Sequence, residues 1–177
     1  MTSTVDHHIP ASAALDALRA AGCDHVVTVP DWVQLAMHVR LEAGEPGLPM
    51  VACCAEDQAV TVAAGLTLGG RRPVVVVQNQ GLYACVNTIR AVALDAKVPL
   101  VFLVGQFGRE FANFGTDPSQ SRRNMVRLLE PVLAALGVAS WRLESAADLA
   151  SVTAAFEHAH RERTAAVLIV GAPMAWS

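Results

Sequence analysis

The sequence predicts an α/β protein with a doubly wound sheet of about six parallel strands and helices on both faces. Short β-branched runs alternate with Ala/Leu-rich helical patterns from one end to the other. Two of the runs, "VVVV" and "LVFLV", are continuously apolar, as expected for central parallel strands that are covered on both faces. No linker, repeat or low-complexity tract interrupts the pattern, so we expect one domain over residues 1–177.

Each element follows from its local pattern. The predicted strands are short β-branched runs, at His25–Val29, Met50–Cys53, Val74–Val77, Leu100–Val104, Val138–Arg142 and Val167–Val170. The predicted helices lie between them and mostly end at glycine, at Ala11–Ala21, Trp32–Ala43, Asp57–Leu68, Leu82–Ala96, Arg122–Leu136 and Ala146–Glu162. Pro131 predicts a kink or a restart after Glu130.

Composition excludes several classes of protein. The chain has 177 residues, 53% hydrophobic and 16% charged, with a formal net charge of -3, so we expect a folded protein that binds neither nucleic acid nor membrane. We expect a cytoplasmic location, because the first residues lack a signal-peptide pattern. The four cysteines lack zinc spacing and are interpreted as reduced core thiols, with a redox pair at Cys53 and Cys54 as the alternative. The many small apolar residues favour a large subunit interface.

Several common sites of α/β sheets are absent from the sequence. No glycine follows the first strand in "VTVPDWVQ", and neither GxxxxGK[ST] nor GxSxG occurs. His158 and His160 are two residues apart on a predicted helix and therefore face apart, which does not suit a shared metal. The usual nucleotide-binding and hydrolase sites are thus excluded, and no metal ligands are predicted.

Polar residues follow four of the predicted strands, in "VPDW", "CCAED", "VQNQGLY" and "GQFGRE". If the sheet is parallel, all four segments lie along one edge, where α/β proteins bind their ligands. Each also has a purely structural explanation. Asp31 is suited to cap a helix, and Glu56 and Asp57 are suited to the positive end of a helix. Asn79 and Gln80 are suited to a turn.

Taken together, these segments resemble the pyrimidine-binding domain of thiamine-diphosphate-dependent 2-oxo-acid decarboxylases. The resemblance is strongest to the sulfopyruvate and phosphonopyruvate decarboxylases. It rests on an E-x-x-A-x-x-x-A-A-G pattern at Glu56–Gly65, a Q-N-x-G-L-x-x-x-x-N pattern at Gln78–Asn87, and a looser match at Asp117–Gln120. It covers nearly the whole chain.

The resemblance implies that Glu56 is a catalytic residue that binds the cofactor. In this family a carboxylate hydrogen-bonds N1′ of the aminopyrimidine and so activates the cofactor, and a dry environment strengthens that contact. We expect Ala55, Ala59, Val60, Ala63 and Ala64 to provide such an environment and to let a helix of another subunit approach closely. We expect Asp57 to be an ordinary acid of the first helical turn.

The resemblance also suggests roles for residues around Glu56. Asn79, Gln80, Gly81 and Leu82 would contact the cofactor, and Asp31 would transfer a proton, with a histidine of a partner as the alternative. The family has small residues where this chain has Trp32, Gln80 and Tyr83. These three, with Phe107 and Arg109, would lie near the substrate. Phe107, Phe111 and Phe114 would form an apolar lid or anchor the loop, and Arg109 would hold an anion.

One part of the family's site is missing from the sequence. Members of the family bind the diphosphate and Mg²⁺ through a GDG...N motif on a second domain, and this sequence has no GDG. The resemblance therefore implies a separate beta subunit that carries this motif, in an assembly of at least α₂β₂. The expected reaction is the non-oxidative decarboxylation of a 2-oxo acid to an aldehyde, where the 2-oxo acid is similar to phosphonopyruvate or sulfopyruvate or is a larger analogue. Carboligation and a non-catalytic scaffold are the alternatives.

Overall fold

In the computed structural model, which describes residues 6–176, six parallel strands form one sheet in the order β2-β1-β3-β4-β6-β5. They are β1 (His25–Thr28), β2 (Met50–Ala52), β3 (Pro73–Gln78), β4 (Leu100–Gly105), β5 (Ala139–Leu143) and β6 (Ala165–Val170). The predicted doubly wound parallel sheet is confirmed. Residues 1–5 and 177 of the expected single domain lie outside the described residues.

The helices pack on both faces of the sheet. They are α1 (Ala11–Ala20), α2 (Leu35–Glu42), α3 (Glu56–Leu68), α4 (Asn79–Ala84), α5 (Val86–Ile89), α6 (Asn124–Arg127), α7 (Leu129–Ala135) and α8 (Ser151–Glu162). A π-helix at Arg90–Asp95 follows α5, and short 3-10 helices lie at Phe111–Asn113, Pro118–Gln120 and Ala146–Ala150.

Alternate side chains of the central strands enter two separate cores. In β3, Val74 and Val76 pack with α1, α2 and α8, whereas Val75 and Val77 pack with α3, α4 and α7. All four valines are buried, because the two-residue period of a strand sends successive side chains to opposite faces and both faces carry helices. This explains why "VVVV" has no polar alternation.

Four predicted helices differ from the observed ones. The sixth begins at Ser151 instead of Ala146, because a 3-10 helix at Ala146–Ala150 precedes it. The second begins at Leu35 instead of Trp32, because a turn fixed by Asp31 precedes it. The fourth begins three residues early, at Asn79, directly after β3. The fifth breaks at Leu128, two residues before the predicted position. Pro131 is then the third residue of α7, where the N–H that proline lacks is not needed.

The small residues of α3 pack against the chain's own sheet. Ala59, Val60, Ala63 and Ala64 are all buried in the core that contains Val75. The expectation that these four side chains contact another subunit is therefore wrong, because the sheet already occupies their face of the helix. The opposite face of α3 carries the exposed residues Thr61, Gly65 and Leu68.

Candidate active site

The four predicted segments meet at the carboxyl edge of the sheet. The chain passes from β1 to β2 on one side and then to β3 on the other side of β1. This reversal of strand order opens a crevice between β1 and β3, where ligands of doubly wound sheets usually bind. Asp31 follows β1, Asn79 follows β3, and Glu56 follows the neighbouring β2.

Glu56 is the first residue of α3, and its side chain lies directly over Gly81 of α4. A methyl group at position 81 would overlap the Cγ and the carboxylate of Glu56. The carboxylate is partly buried and makes no hydrogen bond or ion pair with any of residues 6–176. Because the Glu56 carboxylate has no partner among these residues, it remains available to a ligand.

Asp57, the neighbouring acid, is already paired. Its Oδ1 accepts a hydrogen bond of 2.6 Å from the hydroxyl of Thr88 in α5. Asp57 thus joins α3 to α5 from the first turn of α3, where a negative charge also suits the helix dipole. Two adjacent carboxylates therefore have different surroundings, and only that of Glu56 is unpaired.

Asp31 organises the turn between β1 and α2. Its Oδ1 accepts a hydrogen bond from the backbone N–H of Gln34 at 3.0 Å, and its Oδ2 accepts one from Gln34 Nε2 at 2.8 Å. Gln34 Nε2 also donates to Val77 O at 3.1 Å, which connects this turn to β3. A Cβ at Gly105 would lie 3.2 Å from Asp31 Oδ1, so the end of β4 needs glycine to approach the same turn.

His38 is a residue of this site that the sequence analysis missed. It lies in α2, is almost fully buried, and places its Nε2 3.5 Å from Asp31 Oδ2. Neither ring nitrogen has a hydrogen-bond partner among the described residues. A buried histidine without partners beside a buried carboxylate is unusual, because such polar groups are normally satisfied. No local signal in the sequence indicated this pair, because Asp31 lies in the turn before α2 and the two side chains meet only after folding.

Asn79 joins β3 to the long loop that follows β4. Its Nδ2 donates to the carbonyl oxygens of Phe107 at 3.0 Å and Met125 at 2.9 Å, and its Oδ1 accepts from the N–H of Gln80. The side chain is fully buried. Its amide hydrogens are therefore both used within the chain, and Asn79 positions the loop in this structure.

The other residues predicted to bind the cofactor have different surroundings. Gln80 is exposed, and its Oε1 accepts from Gln78 Nε2 at 3.1 Å. Leu82 is fully buried in the core beneath α4. The structure thus leaves Gln80 on the surface, whereas Gly81 is buried against the Glu56 side chain and Leu82 supports α4 from the core.

Three aromatic residues predicted near the substrate lie in different places around the crevice. Trp32 is 68% exposed at the turn after β1. Tyr83 is half-buried, donates from its hydroxyl to Met125 O at 2.8 Å, and has a pKa that burial raises to about 12. Phe107 packs against the core on the α1 and α2 side, while its carbonyl accepts from Asn79.

Arg109 holds the long loop together and has no N–H group left for a substrate. Its side chain is buried, and all five of its guanidinium donors are used. They donate to the side chains of Asn113, Gln106 and Glu144 and to the carbonyls of Asn113 and Thr116. In this arrangement Arg109 is a structural residue, and the predicted role as an anion ligand has no donor to support it.

The outer part of the loop is more open. Phe111 is 81% exposed and meets Phe114 edge to face at 5.3 Å between ring centroids, so these two rings do not cover the crevice as a closed lid. Asp117, in the looser family match, accepts from Ser119 N at 3.0 Å and caps a 3-10 helix. A cavity of about 470 Å³ on this side is lined by Glu110, Ala112, Asn113, Thr116, Gln120 and Arg122.

Within residues 6–176 no group of three or more His, Cys, Asp or Glu side chains is arranged to hold a metal ion. The same part of the chain has no helix of the length and apolarity that a membrane span requires. The four cysteines are free thiols, and Cys54 is exposed while the other three are buried.

Comparison with known families identifies the class to which this parallel-sheet protein belongs. Residues 11–127 match the family described as thiamine pyrophosphate enzyme, N-terminal TPP binding domain. This region is more than half of the chain. The chain therefore belongs to the thiamine pyrophosphate enzymes, and it contains their N-terminal TPP binding domain.

The chain is also similar to a named protein of an archaeal organism whose name specifies a subunit. The chain is 26% identical over 120 residues to the protein named sulfopyruvate decarboxylase subunit alpha from Methanothermobacter thermautotrophicus, and the match covers 67% of this chain and 72% of the relative. The sequence-based resemblance to this family is thus confirmed.

The fold is shared with a solved enzyme structure. The 2-oxoglutarate:ferredoxin oxidoreductase from Magnetococcus marinus superimposes with a TM-score of 0.70 at 13% sequence identity. The superposition covers 94% of this chain and 31% of the oxidoreductase chain. At this identity the similarity concerns the fold alone.

Proposed function

We propose that this chain is the pyrimidine-binding alpha subunit of a two-subunit, thiamine-diphosphate-dependent enzyme that decarboxylates a 2-oxo acid to an aldehyde without oxidation. The observation that carries the proposal is the carboxylate of Glu56, which lies over Gly81 at the switch point and has no partner among the described residues. The relative named as a subunit alpha supports the two-subunit arrangement.

The residues around Glu56 fit an aminopyrimidine ring. An unpaired carboxylate can accept a hydrogen bond from a protonated ring nitrogen, and the glycine against which it lies leaves room for the carboxylate in this position. Bound thiamine diphosphate would supply the electron sink for cleavage of the carbon–carbon bond. Glu56 would hold the proton at N1′ of the pyrimidine, and the exposed side chain of Gln80 would lie beside the ring.

Asp31 is the proposed proton donor to the product. Its carboxylate is nearly fully buried, is oriented by Gln34, and has His38 Nε2 at 3.5 Å. His38 is thus a histidine of this chain that lies beside the proposed donor. A histidine of the partner is the alternative donor for this step.

The substrate we propose is a 2-oxo acid with a larger side chain than sulfopyruvate or phosphonopyruvate. Trp32 and Tyr83 replace the small residues of that subgroup, and Phe107 adds apolar surface near the same edge. Aromatic walls favour an apolar group on the substrate, because burial of its surface contributes about 25 cal/mol per Å². With Arg109 occupied inside the loop, the substrate carboxylate would bind to donors of the partner.

The partner we propose is a beta subunit with the GDG...N motif, which would bind the diphosphate and Mg²⁺. The catalytic assembly would be α₂β₂ or larger. In this arrangement the chain would contribute the pyrimidine side of the site, and the beta subunit would contribute the diphosphate side.

Co-expression with a GDG-containing partner tests this function. Purified complex with thiamine diphosphate and Mg²⁺ should release CO₂ from members of a panel of 2-oxo acids with small, branched and aromatic side chains. Glu56→Gln should abolish release while the complex still forms. The matched control is Asp57→Asn, which alters the adjacent acid and should retain most of the activity.

Two results would contradict the proposal. Full activity in Glu56→Gln would show that Glu56 does not activate the cofactor. Failure of every GDG-containing partner to bind would contradict the two-subunit arrangement. If CO₂ is released but an acyloin replaces the aldehyde as product, the enzyme is a carboligase. A complex that forms but never turns over would indicate a non-catalytic scaffold.

A further inference from the structure

A basic depression lies at the end of the sheet opposite to Glu56, where the strands begin. Its volume is about 550 Å³, and Arg71, Arg72, His160 and Arg163 are among the residues that line it. Arg71 and Arg72 directly precede β3, and Arg163 lies just before β6. The depression is therefore at the amino ends of the strands, whereas the candidate active site is at their carboxyl ends.

The three arginines are not neutralised within the described residues. Their one ion-pair contact there is between Arg71 Nη1 and Asp24 Oδ2, at 4.0 Å. Asp24 itself accepts from the backbone N–H of Arg72 at 2.8 Å and interacts with His25 Nδ1 at 2.9 Å. An excess of positive charge thus remains in a chain whose formal net charge is -3.

Arg72 is held in place before any ligand binds. Its Nη2 donates to Ala21 O at 3.3 Å, and its guanidinium carbon lies 5.6 Å from the ring centroid of the buried Phe156. Its Nε is buried and has no hydrogen-bond partner among the described residues. A fixed guanidinium loses little side-chain entropy on binding.

The pKa of His160 reflects the same positive field. Burial lowers this pKa, and the charge of Arg72 lowers it further. The neutral form of the ring, which this shift favours, can donate one hydrogen bond and accept another. Leu68, which is 77% exposed, and Pro99 add apolar surface to the same depression.

The depression also receives the C-terminal end of α3, whose dipole by itself disfavours an anion. Carbonyl groups of this last turn are already satisfied. Gly65 O, Leu66 O and Thr67 O accept from the N–H groups of Gly69, Arg71 and Gly70 at 3.0, 2.9 and 3.0 Å. The full charges of three arginines therefore exceed the opposing partial charge of the helix.

We propose that this depression is a binding site for a phosphate group, either inorganic phosphate or the phosphate of a small monoester. Guanidinium groups match the oxygens of phosphate with paired hydrogen bonds, which an ammonium group cannot do. The volume suits a ligand of nucleotide size, with Leu68 and Pro99 in contact with its apolar part. The site is independent of the proposed reaction at Glu56.

Calorimetric titration of the full chain without thiamine diphosphate tests the proposal, with inorganic phosphate and AMP as separate probes. We expect saturable binding of at least one probe. The double variant Arg71→Gln/Arg163→Gln should weaken it at least tenfold while the circular dichroism spectrum is retained. The matched control is Arg161→Gln on α8, which is exposed and paired with Glu162, and it should bind like the wild type.

The two probes separate the possible sources of the phosphate. Tighter binding of AMP identifies a monoester, and equal or tighter binding of phosphate identifies the free ion; both outcomes support the site. Absence of saturable binding, or equal weakening in Arg161→Gln, would overturn it. Binding of a poly-glutamate peptide without binding of either probe would also overturn it, in favour of contact with an acidic protein segment.

Discussion

The side chain of Glu56 lies against Gly81, at a position where any larger residue would overlap its carboxylate. Glu56 begins α3, which follows β2, and Gly81 is in α4, which follows β3. Because the sheet fixes the start of each helix, it also fixes this contact. The glycine of the Q-N-x-G-L pattern thus has a role within the chain, which is to leave space for the glutamate of the other pattern.

Gly81→Ala should displace the Glu56 carboxylate without unfolding the protein. The overlapping atoms belong to the flexible end of a side chain, so rotation relieves the clash. A misplacement of about 1 Å can lower a rate by about two orders of magnitude, and we expect a loss of that size in CO₂ release by the complex. Gly65→Ala is the control. It lies in α3 with nothing within 4 Å of its added methyl group and should retain activity and stability.

Asp31→Asn should destabilise the protein even in the absence of any substrate. An asparagine amide would place a donor opposite the Gln34 Nε2 donor, where Asp31 Oδ2 now accepts at 2.8 Å. We expect a loss of about 1–3 kcal/mol in the free energy of unfolding, measured with urea, because a buried polar group becomes unsatisfied. Asp16→Asn, whose side chain is exposed, should change it by less than about 0.5 kcal/mol. Equal stability of the two variants would show that Asp31 does not stabilise the turn.

Asn79→Ala should loosen the loop between β4 and α6. The carbonyls of Phe107 and Met125 would each lose a donor from Asn79 Nδ2. We expect about 2–4 kcal/mol of lost stability and faster proteolysis within residues 105–125. Asn87→Ala is the control, because Asn87 is exposed and contacts only the side chain of Arg90. Unchanged proteolysis in Asn79→Ala would show that the loop is held elsewhere.

Arg109→Lys tests the structural role of this arginine. A lysine has three donors on one nitrogen and cannot reach the separate acceptors on Asn113, Gln106, Glu144 and Thr116. We expect a loss of about 3 kcal/mol in urea unfolding. The exposed Arg142, paired with Glu130, provides the control, and Arg142→Lys should cost at most about 1 kcal/mol. A purely substrate-binding role for Arg109 would leave unfolding unchanged.

Stability should fall at alkaline pH because of two buried thiols. Burial raises the pKa of Cys23 and Cys85 to about 12, from an ordinary value of 9.0. Below pH 9 both thiols are protonated in the folded and unfolded states, so they cause no pH dependence. Between about pH 9 and 12 the unfolded chain loses protons that the folded chain keeps, and stability falls by about 1.4 kcal/mol per pH unit for each thiol.

Urea unfolding between pH 8 and 10.5 measures this slope. Cys85→Ala should reduce it, although the variant is less stable at every pH because of the cavity. Cys54→Ser should leave the slope unchanged, because Cys54 is exposed. An identical slope in all three proteins would assign the alkaline loss to other groups, among them Tyr83, whose pKa burial also raises to about 12.

The strands could be predicted to within two residues because their signal is local. Runs such as "VVVV" are apolar on both sides only when helices cover both faces of the sheet, and β3 meets that condition. Helix starts were less predictable. The start of α2 depends on the hydrogen bonds of Asp31 to Gln34, which compete with the helical pattern that Trp32 begins.

The site was predictable in its position but not in the role of every residue. Parallel strands place their carboxyl ends together, so Asp31, Glu56 and Asn79 could be assigned to one edge from the order of elements. The role of Arg109 could not be predicted, because one of its partners is Glu144, which is adjacent to Arg109 only after folding. His38 was missed because a histidine inside an apolar helix resembles a surface residue in the sequence.

The all-parallel sheet has a consequence for the order of folding events. Thr28 pairs with Val76 in the central β1–β3 ladder, so the chain must close a long loop before these two strands meet. Helices such as α3 can form early from local contacts, but the Glu56–Gly81 contact exists only after the crossovers are complete. A fragment released partway through synthesis would therefore contain the glutamate and yet have no site, so the site matures late.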